Sequence, residues 1–92
     1  MKIYDKKENL LAVIIKKDES KEEKDFHTEH SSEFQIATFN LKKDENIQRH
    51  YHEKQERNIY STNEVIILQS GKILVTIYDL DLEKVEDITL EN

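Results

Sequence analysis

The apolar residues of this chain fall into short runs, rich in β-branched side chains, and that pattern constrains the fold more than any other feature. Residues 10–15 read Leu-Leu-Ala-Val-Ile-Ile. Residues 34–41 put Phe34, Ile36 and Thr38 on one face of an extended chain, and Ala37, Phe39 and Leu41 on the other. Residues 47–52 alternate as well. Residues 64–69 enclose Val65-Ile66-Ile67-Leu68, residues 72–79 enclose Ile73-Leu74-Val75-Thr76-Ile77-Tyr78, and residues 85–90 complete the set. Each run is too short for a packed helix, and its residue types suit a pleated surface. Six short strands with polar connections predict an all-β sandwich or barrel.

The 92 residues are expected to form one domain spanning the chain. There is no cysteine, which excludes disulfides and thiolate metal sites and agrees with a cytoplasmic location. The chain turns charged at once after Met1, and residues 10–15 are too few to span a bilayer, so no membrane partner is expected. Acidic residues outnumber basic ones 20 to 14, and no basic cluster stands clear of acids, which argues against a nucleic-acid partner. The polar stretch 16–33 reads as a solvated loop, because it lacks the apolar residues that offset the entropy of ordering. Strands apolar on both faces call for a cover, and a homodimer is the expected one. Gly71 is the sole glycine, and Gln69-Ser70-Gly71-Lys72 reads as a tight turn between two strands, with a positive φ at the glycine.

Chemistry concentrates at His50-Tyr51-His52. Two residues apart on a strand, the imidazoles leave the same face about 6.5–7 Å apart along it. Two side chains so placed can share one divalent ion at about 2.0–2.1 Å per metal–nitrogen bond. Gln48 lies on their face, whereas Arg49 and Tyr51 point away. Arg57, Tyr60 and Thr62 are further candidates for ligand contact, or for a solvated surface strand. His27 and His30 read as exposed loop histidines. The acidic residues 79–83 lack the regular oxygens and the glycine of a calcium loop.

His50-Tyr51-His52 is followed by Glu64, six residues, and Gly71. That order resembles the first cupin motif. The stretches 1–4, 10–17, 50–65 and 71–72 also resemble a group of small bacterial cupins found among polysaccharide biosynthesis genes, so the likeness covers nearly the whole chain. It implies a jelly-roll β-barrel, a first motif over residues 50–71, and a metal held by His50, His52 and Glu64. The metal would be divalent, and the ligand a small polar metabolite such as a sugar derivative. Two histidines and one carboxylate leave coordination positions open for substrate.

The likeness has two departures. Eleven residues separate His52 from Glu64, where most cupins have three or four. Glu56 meets the shorter spacing but sits in the charged run Glu53-Lys54-Gln55-Glu56-Arg57, so Glu64 is the preferred ligand. The second cupin motif, with its Pro-Gly turn and third histidine, has no counterpart: there is no proline, and no histidine follows His52. The barrel is therefore expected to be incomplete at its C-terminal end. Two alternatives stand beside the metal reading. One is a metal-free cupin of the sugar-nucleotide isomerase or epimerase kind, with His50 or His52 as general base. The other is a non-catalytic binding or assembly module, or a fragment.

Overall fold

The computed structural model describes residues 1–17 and 19–92. Among the described residues six strands follow one another: β1 (Lys2–Tyr4), β2 (Leu10–Val13), β3 (Lys24–Phe26), β4 (Ala37–Phe39), β5 (Lys72–Tyr78) and β6 (Lys84–Glu91). They pair as three antiparallel two-stranded sheets, β1–β2, β3–β4 and β5–β6, and no helix or closed barrel occurs among the described residues. The chain divides into two compact units, one of Met1–Lys17 with Val65–Asn92, the other Asp18–Glu64.

In the first unit, two hairpins pack through a small core. Ile3, Ile14 and Ile88 are buried, with Ala12, Ile77, Val85 and Leu90 against them. The register explains the choice. Ile73 faces Leu90 and Val75 faces Ile88, so alternate residues of β5 and β6 share one face. A bulge between Ile77 and Tyr78 adds a residue on β6 and lets Val85 join that face. The opposite face carries Leu74, Thr76 and Tyr78 beside Lys84, Asp87 and Thr89. There the Thr76 hydroxyl donates to Asp87 Oδ1 at 2.7 Å and Lys84 Nζ donates to Oδ2 at 3.0 Å. These two donors, the hydroxyl first, hold the Asp87 carboxyl below its ordinary pKa.

Both hairpins close with the same turn. The Asp5 N–H donates to the Asn9 carbonyl and Glu8 N–H returns to the Asp5 carbonyl, at 3.0 and 3.1 Å. Asp79, Glu83 and Leu82 repeat this at 2.9 and 3.1 Å. Each leading aspartate accepts two further backbone N–H groups on Oδ1: Lys7 and Asn9 for Asp5, Asp81 and Glu83 for Asp79. The fourth residue of each turn sits in the left-handed region, Glu8 at φ 66° and Leu82 at φ 63°. An L side chain there costs about 1–2 kcal/mol that glycine avoids, less the greater entropy glycine loses on folding. Leu82 is 83% exposed, so little packing is lost with its side chain. Leu82→Gly is expected to raise stability by about 0.5–1 kcal/mol, read as a higher urea midpoint; an unchanged or lower midpoint would count against the turn.

In the second unit, β3 and β4 pair Lys24 with Phe39, Asp25 with Thr38 and Phe26 with Ala37. Lys24 Nζ stands 5.9 Å from the Phe26 ring centroid and 5.8 Å from that of Phe39. The cation thus lies between two aromatic faces on one side of the ribbon. On the other side His27 Nε2 meets Thr38 Oγ1 at 3.0 Å. Asn40 fastens the chain entering β3: its side-chain amide donates to the carbonyls of Ser20 and Glu22, at 3.1 and 2.6 Å.

Four expectations are corrected. Residues 24–26, read as solvated loop, form β3. Asn40 and the Thr28 hydroxyl, which takes the Ile36 N–H at 3.0 Å, order this region by hydrogen bonding where apolar burial is scarce. Residues 47–52 and 64–69 are not strands, because their backbones find no ladder partner among the described residues. His27 is half-buried on the β3–β4 ribbon and is no exposed loop residue. Gly71 has the expected positive φ, 93°, yet it does not join two strands. It lies at the open end of β5 and exchanges backbone hydrogen bonds with Asn92 at 3.1 and 2.9 Å.

Candidate metal centre

His50 and His52 lie on an exposed, non-ladder stretch. Residues two apart on an extended backbone remain neighbours even without a sheet. Their ring centroids are 5.4 Å apart and the planes meet at 70°. A ligating ring has its centroid about 3.2 Å from the ion, given metal–nitrogen bonds of about 2.0–2.1 Å. Two such rings at a tetrahedral angle stand about 5.2 Å apart. The observed centroid separation is close to that value.

The environment of His50 fixes which nitrogen faces outward. His50 Nδ1 lies 2.9 Å from the carbonyl oxygen of Gln48. A carbonyl only accepts, so Nδ1 carries a proton and, in the neutral ring, Nε2 is the nitrogen with a free lone pair. Ligating histidines characteristically hold their second nitrogen in this way. Gln48 acts through its backbone, an acceptor that a survey of side chains passes over.

The remaining candidates are dispersed. Glu56 and Glu64 are exposed, and among the described residues no group of three or more His, Cys, Asp or Glu side chains gathers around a common point. The two imidazoles lie near each other, and neither Glu56 nor Glu64 gathers with them. Arg57 donates Nη1 to the carbonyls of Ser31 and Ser32 at 3.3 and 2.9 Å, and Nη2 to Gln55 Oε1 at 3.1 Å. It ties residues 31–32 to 55–57. Tyr60 is exposed. His27 and His30 take different partners: His27 meets Thr38, and the His30 ring lies 5.9 Å from that of Phe26.

No family model, curated protein or solved structure matches this chain. Among the described residues, no helix is long and apolar enough to cross a membrane.

Proposed function

We propose that this chain is a cupin-type protein whose His50 and His52 hold a divalent metal, with Glu64 as the carboxylate ligand, and whose ligand is a small polar metabolite of the sugar-derivative class. The observation that carries the proposal is the His50 Nδ1–Gln48 carbonyl bond, which occupies Nδ1 and leaves Nε2 as the ring's available ligand atom, beside a second imidazole whose centroid is 5.4 Å away. The order His50, His52, Glu64, Gly71 and the all-β architecture support it. A divalent ion there supplies Lewis acidity toward a hydroxyl or carbonyl oxygen of a bound metabolite. Glu64 would complete a two-histidine, one-carboxylate set, which requires residues 53–64 to fold back toward His52.

Zn²⁺ titration followed by the ring-nitrogen NMR signals of the four histidines tests this. His50 Nε2 and one nitrogen of His52 are expected to shift together, while His27 and His30 hold still. His50→Ala and His52→Ala should each weaken binding by about tenfold or more. Glu64→Gln should weaken it as well, and Glu56→Gln should not. Unchanged metal content in His50→Ala protein would sink the proposal and leave the histidines as candidate general bases.

A further inference from the structure

His50 and His52 are both exposed, and their ring centroids stand 5.4 Å apart. The Gln48 carbonyl occupies His50 Nδ1 at 2.9 Å, so Nε2 is that ring's available ligand atom. Among the described residues no third His, Cys, Asp or Glu side chain gathers with the pair. One chain therefore brings two ligands to an ion. Zn²⁺ takes four protein ligands in closed sites, and three plus a water or substrate in open ones. Glu64 reaches the ion only if residues 53–64 fold back, and the entropy lost in ordering them opposes that arrangement. A second exposed pair of imidazoles needs no such refolding.

Charge and symmetry both favour a second copy of this chain as the source. The chain carries a net charge of −6, yet residues 45–57 are balanced, with Glu45, Glu53 and Glu56 against Arg49, Lys54 and Arg57. Two copies of this stretch can meet without the repulsion that the whole-chain charge implies. A tetrahedron has two-fold axes, so an ion on the dyad takes His50 and His52 from each copy in identical geometry. The contact then closes on itself. Resting on the reading of His50 and His52 as metal ligands, we infer that a divalent ion there joins two copies of this chain, each giving both imidazoles to a closed four-nitrogen shell. The second pair of rings takes the positions that Glu64 and a metabolite would take in the single chain. The dimer is thus a closed form of the site, and the one-to-one complex an open form. The ratio of metal to chain selects between them, because scarce metal is shared and excess metal gives each chain its own ion.

Sedimentation velocity during a Zn²⁺ titration tests this, at about 0.1 mM chain, where a dimer of micromolar Kd is well populated. The EDTA-treated chain should be a monomer. The dimer should peak at one Zn²⁺ per two chains and fall back toward monomer in several-fold excess of metal. His50→Ala and His52→Ala should each weaken the dimer by about tenfold or more. Both side chains are exposed, so the circular dichroism spectrum should not change. Glu64→Gln should keep the dimer, since Glu64 is no ligand in it, and should raise the excess of Zn²⁺ needed to dissolve it. A monomer at every ratio, with one ion bound per chain, overturns the inference and leaves the metal reading standing. No uptake of Zn²⁺ overturns both. A dimer that persists in EDTA or in His50→Ala protein places the contact elsewhere and overturns the inference too.

Discussion

Ile88→Ala is expected to remove most of the stability of the unit built from the β1–β2 and β5–β6 hairpins. Ile88 is 5% exposed and belongs to a core whose other buried members, among the described residues, are Ile3 and Ile14. Truncating a buried isoleucine to alanine costs about 2–5 kcal/mol, from lost transfer free energy and the cavity left behind. Folded domains hold about 0.05–0.15 kcal/mol per residue, so a unit this small has little more than that in total. Leu74→Ala is the matched control. Leu74 lies in the same sheet, faces away from the core and is 69% exposed. Its truncation should cost under about 1 kcal/mol, because most of its surface is already in water. Urea unfolding of the two variants distinguishes the faces. Equal losses would mean that the register of β5 against β6 is wrong.

The same contrast shows how far the fold is legible in the sequence. The strands β5 and β6 stand within a residue or so of their expected bounds, since each alternates over seven or eight residues and each finds the other across a short turn. Residues 65–68 carry a stronger β signal than β6 and yet form no strand. Propensity describes fitness for a pleated surface, and a strand exists only where a partner supplies the ladder. The reverse holds at Lys24-Asp25-Phe26, where the sequence looks solvated. The Asn40 amide and the Thr28 hydroxyl supply order there that no apolar pattern announces.

The candidate metal centre divides along the same line. The His50–His52 pair is legible because a spacing of two keeps the rings close on any extended chain. The Gln48 carbonyl is not, since backbone acceptors leave no mark on a residue pattern. The place of Glu64 relative to the histidines depends on the path of eleven intervening residues, and spacing alone does not set a path. The cupin order of residues supplies that expectation, which the Glu64→Gln and Glu56→Gln titrations examine.

Limited proteolysis should show a contrast at least as large. Trypsin needs an extended stretch of chain about its scissile bond, so bonds in a ladder are cut only after the ladder opens. Arg49 and Lys54 lie in the exposed region between β4 and β5, where the described residues contain no strand. Lys72 and Lys84 begin β5 and β6, and pair across the sheet with Glu91 and Tyr78. Cleavage after Arg49 and Lys54 is expected to outpace cleavage after Lys72 and Lys84 by about tenfold or more. Arg57 should fall between them, because its guanidinium holds the carbonyls of Ser31 and Ser32 and restrains the adjoining bond. Zn²⁺ should slow the cut after Arg49 selectively, since that bond joins Arg49 to a proposed ligand. Mass spectrometry of the first fragments decides the order. First cuts at Lys72 or Lys84 would contradict the strand assignment, and indifference of the Arg49 cut to Zn²⁺ would weaken the case for His50 as a ligand.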